Sequence, residues 1–184
     1  MGILGDSLDK AAAANFTRPM PKSAQAQMRF LVKSEKGTKA VAVLLGVSQR
    51  TVERYVTGRL RRPRRDLAAR LASEVRKRWQ PRVRGRAKRQ AATAGGIVIE
   101  TRARFGYSAA PGTTDDARLR RVTQHLPPAY AARLFDAQAA GAGEQQLREI
   151  AAEGLQEIYF KDRGRRAQDL VVEFTDIDYV ELDY

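Results

Sequence analysis

The sequence contains no cysteine and a single histidine, His125, among its 184 residues. Without cysteine there is neither a disulfide framework nor a thiolate metal site. One histidine leaves little basis for a multi-histidine metal site or a Ser-His-Asp triad, and we expect His125 to have a structural role. The phosphate-binding signatures GxxxxGK[ST] and GxGxxG are missing as well. We therefore expect no metal and no cofactor belonging to the chain itself.

Long hydrophobic runs are also missing. No apolar stretch approaches the roughly 20 residues that cross a bilayer. The N-terminal residues MGILGDSLDKAAAANF lack the basic region and apolar stretch of a signal peptide. The sequence predicts a soluble cytoplasmic protein with no membrane partner.

Acidic residues are scarce in the first half of the chain. Residues 1–90 hold 23 Lys and Arg against 6 Asp and Glu, whereas residues 91–184 hold 11 against 15. A basic half joined to an acidic half indicates a module that binds a polyanion and a second module with a different task. The basic half predicts nucleic acid as a partner.

Residues 38–58, TKAVAVLLGVSQRTVERYVTG, have the pattern of a helix-turn-helix. Gly46 follows one apolar stripe and can adopt the positive φ of a sharp turn. Ser48 suits the N-cap of a second helix, which would run from Gln49 to about Thr57 and stop at Gly58. In DNA-binding proteins the start of such a second helix enters the major groove. An ordinary helical hairpin with a solvated polar face is the alternative.

The residues expected to contact DNA fall into two groups. Side chains on the second helix can reach base edges, where Arg pairs with guanine and Gln with adenine. The arginines that follow belong to a segment, residues 59–89, with 14 Lys and Arg against 2 acids, which is suited to neutralising phosphates. The predicted contacts are Ser48, Gln49, Arg50, Thr51, Arg54, Arg59, Arg61, Arg62, Arg64 and Arg65.

The second half predicts a different kind of structure. Beyond Gly95-Gly96, residues 97–107 alternate, with Ile97, Ile99, Thr101, Ala103 and Phe105 on one side of a half-buried strand. We expect helices over residues 114–124, 128–139 and 144–160, and a tail strand that could pair with the first strand. The fold class predicted is α+β, mainly α. A helix-turn-helix domain would cover residues 1–80, a basic linker 81–96 and a small α+β domain 97–184.

One segment of the second half, FGYSAAPGTTDD at residues 105–116, is rich in hydroxyl groups. The simple interpretation is that Pro111-Gly112 form a turn and that Thr113 or Thr114 caps the next helix. Asp115 and Asp116 would then lie at the positive end of that helix.

The whole chain, however, resembles the terminal proteins (Tpg) that cap linear chromosome ends in Streptomyces. The resemblance covers essentially the full length. It is carried by GTKAVAVLLGVSQRTVERYV, RRPRRDLAARLASEVRKRWQP, GGIVIETRARFGYSAAPGTTDDAR, LPPAYAARLFDAQ and FTDIDY.

The resemblance implies a function. Members of that family are joined covalently to the DNA 5′ end and prime synthesis through a threonine hydroxyl. By similarity that threonine is Thr114, with Thr113 as the alternative. The family's partners would be telomeric DNA, a telomere-associated protein (Tap) and a DNA polymerase that brings its own Mg²⁺. The protein would be nucleoid-associated at chromosome or linear plasmid ends, self-association is possible, and it would supply a nucleophile without being an enzyme.

Two other functions fit the sequence. A helix-turn-helix transcriptional regulator would bind DNA reversibly and form no covalent link. A nicking enzyme would cleave a strand through Tyr107 or another hydroxyl, although the missing histidine cluster argues against it.

Overall fold

A computed structural model describes residues 2–108, 118–165 and 170–184. Two compact units divide the chain, which we call the helical unit (Phe16–Pro81) and the sheet unit (Met1–Asn15 with Arg82–Tyr184). The described residues give a mixed α+β protein that is mainly helical, with one three-stranded antiparallel sheet, as predicted for the fold class.

The helical unit consists of four helices around one apolar core. These are α2 (Ala24–Ser34), α3 (Thr38–Leu45), α4 (Gln49–Val56) and α5 (Arg65–Arg78). Apolar side chains at helical spacing are fully or almost fully buried between them, because only one stripe of each helix is apolar. They are Met28, Leu31, Val41, Ala42, Leu45, Val52, Tyr55, Leu67, Leu71 and Val75.

The sheet unit begins with the first residues of the chain. Helix α1 (Ile3–Ala14) packs against the last strand and against α8, and its Leu4 and Leu8 are fully buried in the core of this unit. The remaining elements are α6 (Pro81–Gln90), β1 (Ile97–Ser108), β2 (Arg118–Leu126), α7 (Pro128–Ala139), α8 (Glu144–Leu155) and β3 (Val171–Asp183). Short π-helical turns extend α6 over Ala91–Gly95 and α8 over Gln156–Phe160.

Strand β1 lies at the centre of the sheet, between β2 and β3. The side chains predicted to face the core do so: Ile97, Ile99, Thr101, Ala103 and Phe105 are all fully buried. The predicted pairing of the tail is also confirmed, since Val98 aligns with Asp183 and Ser108 with Val171.

The second glycine of the pair that precedes β1, Gly96, is required by the backbone geometry. Its φ is +70°, and a Cβ at this position would lie 2.3 Å from the carbonyl oxygen of Leu126. Only glycine fits such a close backbone approach in the left-handed region.

Three sequence-based predictions were wrong in the described residues. Residues 118–124 belong to strand β2, not to a helix, because they complete the sheet beside β1. The supposed linker at 81–96 is largely helical. The first 15 residues belong to the sheet unit and not to a domain covering residues 1–80, since the apolar stripe of α1 is needed to close the sheet's core.

Candidate nucleic-acid interface

Helix α4 is fixed at its first turn by a side-chain cap. Ser48 Oγ accepts a hydrogen bond from the backbone N–H of Thr51 at 3.2 Å, and the two hydroxyls are 2.9 Å apart. Gly46 adopts φ +62° and ψ +42°, which allows the chain to turn between α3 and α4 within three residues. The start of α4 is therefore held in one conformation.

The far end of α4 is held by residues of α2. The carbonyl oxygen of Val56 accepts hydrogen bonds from Gln25 Nε2 at 3.2 Å and from Arg29 Nε at 3.0 Å. On the inner side, Val52 and Tyr55 are buried in the core. These contacts leave the opposite side of the helix as a rigid, outward-facing polar surface.

Two arginines dominate that surface. Arg50 and Arg54 are exposed and lie one turn apart, so that they project on the same side of α4. In the part of the chain that the structure describes, neither guanidinium has a hydrogen bond or an ion pair. Both are free to bind an external acceptor.

Gln49, which the sequence predicts to contact adenine, forms hydrogen bonds within the protein. Its Nε2 donates to Thr38 Oγ1 at 3.1 Å and to Glu53 Oε1 at 2.9 Å. The bidentate contact with adenine uses Nε2 as a donor, so it would require Gln49 to release one of these partners. The geometry therefore favours Arg50 and Arg54 over Gln49 as the available donors.

Five further arginines lie after α4, in the segment that leads into the first residue of α5. All are exposed, and over residues 2–108, 118–165 and 170–184 none of them has an acidic partner. They are Arg59, Arg61, Arg62, Arg64 and Arg65. By contrast, Arg70 of α5 pairs with Asp66 at 3.4 Å.

Two glutamates bind Arg78 and so connect α5 to the end of α2. Arg78 bonds to Glu35 at 2.5 Å and to Glu74, and Lys77 bonds to Glu74 at 3.0 Å. Burial alone would raise the pKa of Glu74, but hydrogen bonds from Lys77 and Arg78 outweigh it and lower that pKa. Glu35 and Glu74, two of the four carboxylates of the helical unit, thus bind basic residues of α5 and do not neutralise the arginines near α4.

A second basic surface lies on α6, inside the basic segment 59–89 but outside the predicted DNA contacts, because residues 81–96 were expected to form a linker. Arg82, Arg86 and Arg89 follow one another at helical spacing, are exposed and have no partner among the described residues. We call these three residues the α6 stripe. The signal was present in the sequence, since residues 81–90 contain five basic residues, no acid and arginines at positions i, i+4 and i+7.

Other basic side chains of α6 face the sheet unit. Arg84 pairs with the buried Asp9 of α1 at 3.5 Å, and Lys88 Nζ donates to Gln138 Oε1 at 2.8 Å. Burial, and then the charge of Arg84, lower the pKa of Lys88. These contacts anchor the helix and turn the α6 stripe outward.

The predicted priming residues, Thr113 and Thr114, lie outside the described residues, as do Asp115 and Asp116. The side chain of Tyr107 is outside them too. Strands β1 and β2 flank this segment, because Phe105 aligns with Arg118. Accordingly, both ends of the segment are anchored in neighbouring strands of the sheet.

His125 has a contact of the kind expected for a structural residue. Its Nε2 lies 2.5 Å from the carbonyl oxygen of Gly95, in the turn before β1. Among the described residues there is no group of three or more His, Asp or Glu side chains placed to hold a metal ion. No described helix has the length and apolar character needed to cross a membrane.

Comparison with known proteins gave no match: neither a protein-family model, nor a curated protein, nor a solved structure is significantly similar to this chain.

Proposed function

We propose that this protein binds DNA ends through its helical unit and primes DNA synthesis from the hydroxyl of Thr114. In this proposal α3, the turn at Gly46 and α4 act as a helix-turn-helix, with α4 in the major groove. The observation that carries the DNA-binding part is the pair of unpartnered arginines on a helix fixed at both ends. The assignment of Thr114 depends on the resemblance to terminal proteins.

The chemistry of α4 fits the major groove. A guanidinium can donate two hydrogen bonds to O6 and N7 of guanine, so Arg50 and Arg54 are suited to base contacts. The exposed arginines from Arg59 to Arg65 are suited to phosphates, which give affinity without sequence information. Because α4 is already capped and packed, binding would require little ordering of the protein.

Charge supports the same assignment of tasks to the two units. Residues 16–81 hold 17 Lys and Arg against 4 Asp and Glu, whereas the sheet unit holds 17 of each. The whole net charge of +13 is thus carried by the helical unit. A polyanion would be attracted to that unit first.

The priming step is a nucleotidyl transfer. The Thr114 Oγ would attack the α-phosphorus of a deoxynucleoside triphosphate, forming a phosphoester bond while the bond to pyrophosphate breaks. The hydroxyl proton would pass to solvent water, and the Mg²⁺ ions of the DNA polymerase would supply the activation. The partners would be telomeric DNA, a telomere-associated protein and that polymerase, at the chromosome ends in the nucleoid.

A priming assay tests this proposal. Full-length protein, a telomeric template and a polymerase extract are incubated with α-³²P-labelled deoxynucleotides, and label that survives boiling in SDS is mapped by mass spectrometry. We expect label on Thr114, lost in Thr114→Ala and retained in Thr113→Ala. A known protein primer in the same extract controls for activity.

Two results would contradict the proposal. Label that disappears only in Thr113→Ala would move the priming role to the neighbouring residue. No label at all, with the control primer active, would leave a reversible DNA-binding regulator as the better description of this chain.

A further inference from the structure

The sheet unit contains an open polar pocket at the outer edge of β2. Its volume is about 410 Å³, within the range of small-ligand sites. One wall comes from β2 and the other from the end of α8 with the turn that follows it. The lining residues are Gln124, Ile158, Tyr159, Asp162, Arg163 and Arg165.

An unusual backbone shapes the second wall. The helix ends in the π-helical turn Gln156–Phe160 and, one residue further on, Asp162, Arg163 and Gly164 have φ of +46°, +56° and +84°. Two consecutive non-glycine residues in this region are uncommon, and such backbone is concentrated at functional sites. The turn is closed by a hydrogen bond from Arg163 N to the carbonyl oxygen of Glu157 at 2.9 Å.

An aromatic ring lies in the pocket wall. Tyr159 keeps 37% of its surface exposed, although it is a large side chain in a packed region. Phe160 holds it edge-on, with 4.8 Å between ring centroids and 85° between planes, and Phe160 in turn packs on the buried Phe105. A fixed ring with an open face is suited to stacking against a base.

The charges around the pocket favour an anion. Arg163 and Arg165 have no side-chain partner among the described residues, whereas Asp162 is the one acid in the lining. The nearby Glu157 is engaged by the hydroxyl of Tyr130, and Arg120 lies over the ring of Phe160. Two free guanidiniums can hold a phosphate group, while the amide of Gln124 has both donors and an acceptor for a base edge.

From this arrangement we propose that the pocket binds a deoxynucleotide, with the base on Tyr159 and the phosphate on Arg163 and Arg165. The pocket is too small for a duplex, so the nucleotide is either a free one or the unpaired end of a strand. The inference depends on the described residues of the sheet unit and not on the role of Thr114.

Crosslinking and competition on the full-length protein test the site. A 5-iododeoxyuridine nucleotide, as the free triphosphate or at the 5′ end of a five-nucleotide single strand, is photocrosslinked and the modified residue is mapped. We expect modification of Tyr159 by at least one probe, competed by dTMP and not by the same concentration of inorganic phosphate. The stronger probe identifies the source, a free nucleotide or a strand end.

Variants separate this pocket from the general basic charge. Tyr159→Leu and the double variant Arg163→Gln/Arg165→Gln are each expected to weaken probe binding about tenfold, the size of one lost base stack or phosphate contact. The matched control Arg102→Gln/Arg133→Gln removes the same charge from arginines paired with Asp178 and Glu153, and should change binding less than twofold.

The outcomes are distinct. Unchanged binding in both pocket variants, with normal circular dichroism, overturns the proposal. Equal competition by inorganic phosphate also overturns it, since the site would then recognise no base. Thr114→Ala should keep nucleotide binding, so failure of the priming proposal and failure of the pocket are separately visible.

Discussion

At the scale of single residues, one hydroxyl decides how α4 begins. Ser48 Oγ accepts from Thr51 N at 3.2 Å, which satisfies a backbone donor that the helix itself leaves unpaired. We expect Ser48→Ala to lower the free energy of unfolding of the helical unit by about 1 kcal/mol, the usual cost of losing such a cap. Urea unfolding followed by the fluorescence of Trp79, the only tryptophan, measures it.

The control for this prediction is Ser34→Ala. Ser34 is exposed in the last turn of α2, and no hydrogen bond of its side chain occurs in the described part of the chain. If the two substitutions shift the urea midpoint equally, the hydroxyl of Ser48 has no special role as a cap.

At the scale of elements, strand and helix predictions succeeded where the residues themselves fix the pattern. In β1 every second residue from Ile97 to Phe105 faces the core, so the alternation in the sequence was enough to predict a strand and its buried side. Helix α7 begins at Pro128, a residue suited to a first helical turn, and was predicted with its observed bounds.

The elements that were missed depend on distant partners. Strand β2 has only two strongly apolar buried residues, Val122 and Leu126, so its sequence alone is typical of a polar helix. Its strand conformation depends on pairing with β1. Helix α6 has no buried residue at all. It is anchored by Asp9 and Gln138, which lie far away in the sequence. Among the candidate site residues, Gln49 donates to Glu53 at the readable i,i+4 spacing, whereas its contact with Thr38 depends on how α3 and α4 pack.

The α6 stripe makes a prediction at the same scale. If these three arginines contact phosphates, each releases counterions, and log affinity for DNA should fall less steeply with log salt once they are removed. We expect Arg82→Gln/Arg86→Gln/Arg89→Gln to reduce the slope by about 2 to 3. Fluorescence anisotropy with a duplex at several salt concentrations provides the slope.

A charge-matched triple variant is available in the sheet unit. It is Arg102→Gln/Arg121→Gln/Arg133→Gln. These three arginines already have acidic partners, which are Asp178, Glu100 and Glu153 respectively. A slope that drops as much in this control as in the α6 variant would show that only net charge matters and that α6 is not a contact surface.

At the scale of the whole molecule, the order of the chain does not follow the division into units. Helix α1 comes first in the sequence, yet its side chains complete the core of a unit whose remaining residues begin at Arg82. The helical unit is thus inserted between α1 and α6. Local patterns do not say which core buries the apolar stripe of α1, because Leu4 and Leu8 pack on elements that are distant in the sequence.

This division predicts which mutation disturbs which unit. Leu8 of α1 and Leu45 of α3 are both fully buried, the first in the sheet unit and the second in the helical unit. Replacing either by alanine should cost about 2 to 5 kcal/mol in its own unit. Trp79 lies in the helical unit, against Phe30 with 4.9 Å between ring centroids, so its fluorescence follows that unit. Far-ultraviolet circular dichroism follows both.

We therefore expect Leu45→Ala to lower the urea midpoint seen by Trp79, and Leu8→Ala to leave that midpoint in place while shifting part of the dichroism transition. The two substitutions remove the same atoms, so each is the control for the other. If α1 instead belonged to a domain made of residues 1–80, Leu8→Ala would move the Trp79 transition as Leu45→Ala does. That result would mean that the first 15 residues stabilise the helical unit and that the core of the sheet unit does not depend on them.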